Sequence, residues 1–305
     1  MFNTPIGLTI FNRPDLTKIV LDQIRKVRPS KLFISADGPR TKEEALLCKE
    51  TRNAINVDWP CEVHLNYSDV NLGCEKGLEK AFNWIFSLCD EAVLLEDDVF
   101  PDDSFFWFCQ ELLEKYRDNP KVMQIAGNNF RDEVQKTSYY FSRIPHVGGS
   151  WATWRRAWAL YDGKMESWWS ADTSKRKAFL ASNCLHEGWL ESLNATKKID
   201  TWDYPWFFSI WNSGGISISP SVNLVKNIGF DARGTHTSNP LFNMAHTCTP
   251  LTFPLTHPKD FQIDVDADKK VDFARHFESK GRLKRSSDGK LVPITPIVTT
   301  VGEDS

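Results

Sequence analysis

The chain has 305 residues, 41% of them hydrophobic and 25% charged, enough to bury one large core or two closely packed ones. A net charge of −3 and a pI of about 6.2 argue against general binding to nucleic acid or to an anionic membrane. No apolar run approaches the roughly 18 to 20 residues that cross a bilayer, and the N-terminus has neither the basic nor the apolar region of a signal peptide. The expectation is a soluble, cytoplasmic protein with no transmembrane segment, whose membrane contact, if any, is peripheral.

Strand and helix patterns alternate through the first third. Ile6 to Phe11 reads as a strand, and Pro14 opens a helix toward Val27 with Leu16, Ile19, Val20 and Ile24 on one face. Leu32 to Ile34 is a second strand, ending at the turn signal Ser35-Ala36-Asp37-Gly38-Pro39. Thr41 to Val57 is helical, Cys61 to Leu65 strand-like, and Gly73 to Leu88 a long helix that turns Leu78, Ala81, Phe82 and Ile85 inward. The run Ala92 to Leu95 reads as a buried parallel strand. This succession predicts an α/β fold with a mostly parallel sheet and helices on both faces.

Directly after that strand stand three acids, Glu96-Asp97-Asp98. In an open α/β sheet the crevice beyond the strands' carboxyl ends is where ligands bind. Three carboxylates crowded there repel one another, and a hard divalent cation carried by a diphosphate relieves the repulsion. The plainer alternative is a charge cluster at a helix N-terminus.

Beyond Pro101 the pattern changes to aromatic-rich helices and shorter strands: Ser104 to Arg117, Val122 to Ala126, Tyr139 to Phe141. Nine of the twelve tryptophans fall between Trp151 and Trp211, which marks a second, aromatic half. Trp154, Trp158 and Trp189 have helical spacing and read as core. Trp151, Trp202 and Trp206 lie in loop-like settings, where they are either core or faces for a sugar. The run Asp264 to Asp268 lacks the glycine and distal glutamate of a calcium loop and reads as a solvated loop. The boundaries drawn from these shifts are 1–100, 101–258 and 259–305, the last a charged C-terminal extension. Seven cysteines without a CxxC pair read as reduced thiols in a cytoplasmic compartment.

The strand leading to Asn12-Arg13-Pro14, the strand ending in Ala36-Asp37-Gly38, Asn71-Leu72-Gly73 before a helix, and the strand-borne Glu96-Asp97-Asp98 together resemble a GT-A glycosyltransferase. The chain is similar to the N-acetylglucosaminyltransferase I type and to bacterial family 2-like sugar transferases. The likeness runs on through His146 to Trp151, Thr201-Trp202-Asp203 and Gly234-Thr235-His236-Thr237, covering roughly residues 5 to 240.

The resemblance implies a GT-A, Rossmann-like fold, a nucleotide-sugar donor and a glycan or glycoconjugate acceptor. It implies that Arg13 meets the diphosphate, Asp37 the uracil edge and Glu96 the ribose. Asp98 would hold Mn2+ or Mg2+ with Asp97 in support, and Trp151 belongs to the donor side. The plain alternatives are a surface role for Arg13 and turn formation for Asp37. His236 either completes the metal site or is a phosphate-facing or structural residue. His246, His257 and His64 are weaker candidates.

Transfer with inversion needs a general base opposite the leaving group. Asp203, between Trp202 and Tyr204, is the choice, its alternative being a helix N-cap. Related transferases carry an acidic pair at this point, whereas here Asp203 is followed by Tyr204 and Pro205. The stretch Asn227 to Asn239 is expected to form a lid. Two other functions fit parts of the pattern: a sugar nucleotidyltransferase and a noncatalytic carbohydrate-binding protein.

Overall fold

The computed structural model describes residues 2–129, 136–229, 247–278, 283–285 and 291–293. Its first third is β1 (Ile6–Ile10), α1 (Pro14–Val27), β2 (Lys31–Ala36), α2 (Lys42–Asn53), β3 (Glu62–Tyr67), α3 (Cys74–Leu88) and β4 (Glu91–Glu96). There follow β5 (Val99–Pro101), α4 (Asp103–Lys115), β6 (Val122–Ala126), β7 (Tyr139–Ser142), β8 (Ser150–Trp154), α5 (Arg155–Trp158), α6 (Glu166–Ser170), α7 (Thr173–Ser182) and α8 (Gly188–Ala195). The chain continues through α9 (Asp203–Asn212), β9 (Ile216–Pro220), β10 (Val225–Asn227), α10 (Val265–Glu278), β11 (Leu283–Arg285) and β12 (Leu291–Pro293).

Eight strands form one sheet in the order β3-β2-β1-β4-β8-β6-β9-β7. β8 and β7 run against the other six, so the sheet is mostly parallel and Rossmann-like. From β1 the chain winds outward to β2 and β3, then returns to place β4 on the other side of β1. That reversal opens a crevice at the carboxyl ends of β1 and β4, the switch point where open α/β sheets bind ligands.

Successive residues of a strand face opposite sides, and β4 shows the consequence. Val93 and Leu95 enter a core with Val20 and Ile24 of α1 and Phe105 of α4. Ala92 and Leu94 enter a second core with Phe82 of α3 and Trp206 of α9. A strand buried on both faces has no polar side, which is why Ala92 to Leu95 is a continuous apolar run.

Four details depart from the sequence reading. Ile19 is 41% exposed, on the flank of α1 and not its inner stripe. α2 ends at Asn53, four residues short of Val57. The carboxylate run at 264–268 is not a solvated loop. It begins α10: Asp264 Oδ1 accepts from the Ala267 N–H at 2.9 Å, and Asp268 is buried against Ser142 and the Arg143 N–H. Trp151 and Trp206, read as loop residues, lie in β8 and α9.

Candidate functional site

The switch point opens into a cleft of ≈ 610 Å3 whose walls come from both halves of the sheet. Its described lining carries six carboxylates (Asp37, Glu96, Asp97, Asp98, Asp200, Asp203) and two guanidiniums (Arg13, Arg40). Such an excess of negative charge is costly to assemble unless protons, hydrogen bonds or cations neutralise part of it.

The turn from β4 to β5 distributes its three acids. Asp97 folds back beneath the β1–α1 loop, where it accepts from the Phe11 N–H at 3.0 Å and the Thr17 hydroxyl at 3.5 Å. Burial, followed by the nearby Asp98 charge, pushes the Asp97 carboxyl up to about 7, against the pull of the Phe11 N–H, Arg13 and Thr17. Glu96 lies at the mouth of β4. Burial raises it well above the usual carboxylate range, with further contributions from Asp98, Asp97 and Asp203; Arg13 opposes them. Asp98 forms an ion pair with Arg13 at 2.9 Å, and the Arg13 guanidinium is largely buried.

The segment after β10 closes against this pair. The Ile228 N–H donates to the Asp98 carbonyl at 2.8 Å, and a Cβ on Gly229 would lie 2.6 Å from Arg13 Nη1. His236, His246 and most of the expected lid fall at 230–246, outside the described residues.

Opposite the acids, α9 begins at Asp203. Asp203 Oδ1 accepts from the Thr201 hydroxyl and, at 2.9 Å, from the Tyr204 N–H. Its Oδ2 accepts from no described residue, and the side chain lines the cleft. The N-cap position belongs to Trp202, so Asp203 is the first residue of the helix and not its cap. Asp203 and Glu96 line the same cleft, and the Asp203 charge adds to the rise of the Glu96 carboxyl.

Sequence reasoning gave no role to Asp200. Its carboxylate accepts from the backbone N–H groups of Cys74 at 2.7 Å and Glu75 at 2.8 Å, so it caps α3 from 126 positions away. The signal was present but indirect: Gly73, the N-cap residue of α3, has no side chain with which to cap it.

Trp151 does not offer a face to a ligand. It is 1% exposed, stacked on Trp202 at 5.3 Å and packed edge-on against Phe82. Trp206 is fully buried, and Trp202 reaches the cleft only at its margin, being 3% exposed. The aromatic cluster supports the cleft from behind. His257 and His64 have structural partners, His257 bonding Tyr139 and Glu111, and His64 bonding Glu62 and stacking on Phe33.

Among the described residues no three His, Cys, Asp or Glu side chains are grouped so as to hold an ion alone. The donors at Asp98 are hard oxygens, which suit Mg2+ or Mn2+ of the kind bound through one or two carboxylates plus the phosphates of a substrate. Asp98 thus offers donors of the type such an ion takes, the remaining donors having to come from outside the described residues.

No family model matches the sequence, and no curated protein matches it. Among solved structures the chain is similar to 4-diphosphocytidyl-2C-methyl-D-erythritol synthase from Anaerococcus prevotii DSM 20548. The identity is 9%, over 56% of this chain and 79% of that one, with a TM-score of 0.32. It is also similar to the inositol-1-phosphate CTP transferase from T. maritima, at 10% identity over 72% of this chain and 86% of that one, with a TM-score of 0.37. Among the described residues no helix is long and apolar enough to cross a membrane.

Proposed function

We propose that the protein is a metal-dependent, inverting glycosyltransferase of the GT-A type. It would move a sugar from a nucleoside diphosphate donor, a UDP-sugar, to a hydroxyl of a glycan or glycoconjugate. The observation that carries this reading is the arrangement of the cleft: strand-end acids with a buried arginine on one wall, and a carboxylate with one open oxygen on the other.

In this reading Arg13 and Asp98 receive the diphosphate end of the donor. A planar guanidinium matches phosphate oxygens, and Asp98 with His236 would hold the divalent ion. That ion, when bound, supplies Lewis-acid stabilisation of the departing diphosphate. Glu96, at the end of β4, would meet a ribose hydroxyl of the donor. Asp203 is fixed through Oδ1, which leaves Oδ2 to take the proton of the acceptor hydroxyl as its oxygen bonds to the anomeric carbon. In this reading the enzyme works in a reducing, cytoplasmic compartment.

A sugar nucleotidyltransferase would use a related cleft and a nucleoside triphosphate. The described lining sets two guanidiniums against six carboxylates, and a triphosphate would bring more negative charge to it than a diphosphate. The buried tryptophans weigh against a purely sugar-stacking protein.

Calorimetric titration with UDP, GDP, CMP and dTDP, each with Mn2+ and with EDTA, tests the proposal. UDP should bind only with the ion, and Asp98→Ala should abolish that binding. Pyrophosphate release from a nucleoside triphosphate and a sugar phosphate would establish the rival reaction instead.

A further inference from the structure

The wall of the cleft farthest from β8 is built from the loops that follow β2 and β3. Asp37, at the end of β2, presents no free carboxylate there. Its Oδ1 accepts from the N–H groups of Gly38 at 2.8 Å and Leu72 at 2.9 Å. Its Oδ2 accepts from Asn71 Nδ2 at 2.9 Å, the Leu72 N–H at 3.1 Å and the Gly73 N–H at 3.2 Å. A carboxylate offers about four lone-pair positions, and these bonds fill them.

The wall is rigid for two further reasons. Arg52 of α2 donates through Nη2 to the carbonyls of Asp37 at 3.1 Å and Ser68 at 2.6 Å, bracing both loops from behind. A Cβ on Gly38 would lie 2.6 Å from the backbone N and O of Val70, so the loops meet backbone to backbone.

Asn71 differs from Asp37 in what it leaves open. Both hydrogens of its Nδ2 are committed, to Asp37 Oδ2 and to the Gly38 carbonyl, each at 2.9 Å. That pairing fixes the plane of the amide and leaves Oδ1 as its open atom. Oδ1 accepts no hydrogen bond from the described protein, and Asn71 lines the cleft. A fixed, open acceptor on the β2–β3 side of the cleft, across β1 from the acids of the β4 turn, lies where the base of a nucleoside diphosphate would reach, its diphosphate being held at β4.

We infer that Asn71 Oδ1, and not Asp37, reads the nucleobase by accepting the imide N–H of uracil. Asp37 is then a positioning residue that holds the loop and orients the amide. Cytosine offers a ring-nitrogen acceptor in place of the imide N–H, so two acceptors would face each other and uracil is favoured. This inference rests on the nucleoside diphosphate reading above.

The test compares UDP with N3-methyl-UDP by calorimetry in Mn2+, on the wild type and on Asn71→Ala, with thermal melting to establish that the variant is folded. Methylation should weaken binding to the wild type about tenfold, roughly one hydrogen bond. In Asn71→Ala, UDP should lose about the same factor and methylation should cost nothing more, the signature of a direct pair. Discrimination that survives in Asn71→Ala overturns the inference and returns the role to Asp37. A wild type that binds UDP and N3-methyl-UDP equally overturns it without any variant. A wild type that binds no nucleotide overturns the functional reading along with it.

Discussion

Asp97 shares one turn with Glu96 and Asp98, yet burial gives it a different task. Its carboxyl titrates at about 7, against about 3.9 for an aspartate in an unfolded chain. The folded protein therefore holds this proton to higher pH than the unfolded chain does. Stability is lost as pH rises from about 4 to about 7 and levels off above that. Asp97→Asn can still accept from the Phe11 N–H and removes the loss. Its melting temperature should exceed that of the wild type by a few degrees at pH 8 and converge with it near pH 4. A difference that does not vary with pH would refute the buried-proton account.

Asp203 carries a prediction of a different kind. Asp203→Asn keeps an oxygen for the Thr201 and Tyr204 bonds and removes the basic one. Donor binding should persist while transfer falls by about 10²-fold or more, the scale of general-base catalysis. Turnover within a few-fold of normal would move the base to another acid. The acids of the β4 turn could be picked out in the sequence because they interrupt an apolar run. Asp200 could not, because its partners are backbone N–H groups 126 positions away and no local pattern records them.

At the scale of elements, α3 depends on that distant carboxylate. With Gly73 before it, the helix has no cap of its own, and the first-turn N–H groups of Cys74 and Glu75 are satisfied by Asp200 alone. Asp200→Ala should cost about 1 to 2 kcal/mol, a usual cap loss, read as a melting temperature lower by a few degrees. Asp200 also ties the segment leading to Asp203 against α3, so transfer should fall further than UDP affinity. Equal losses in both would reduce Asp200 to a stabilising cap. The strands and helices of the first third were legible because each has one strong period and a clear punctuator: Pro14 opening α1, Thr41 capping α2, and the turn at Gly38. The 264–268 run was misread because its acids look solvated when taken alone; their partners, Ser142 and Arg143, lie far back in the chain.

At the scale of the whole molecule, α10 is fastened to the body by buried carboxylates. Asp268 accepts from the Ser142 hydroxyl at 2.5 Å and the Arg143 N–H at 2.9 Å, while Asp272 accepts from the Trp189 indole at 2.6 Å and the His186 N–H at 2.7 Å. Burial pushes Asp268 up to about 6, against Ser142 and Arg143. Asp268→Ala leaves the Arg143 N–H without its acceptor, at a cost of about 1 to 3 kcal/mol. Limited proteolysis should then cut near α10 well before the sheet is attacked. Simultaneous loss of both regions would mean that α10 unfolds only with the rest.

Composition and periodicity by themselves determined the α/β class, the first seven elements in order, and the strand on which the acids are carried. Those properties follow from interactions within a few residues and from the two-faced burial of a strand, so they are written locally. The tertiary structure decided which groups share the cleft, that Trp151 is sealed behind it, and that Asp37 is consumed by the loop it supports. Hydrogen-bond partners, burial and the resulting proton affinities depend on segments brought together from distant parts of the chain, and no local pattern specifies them.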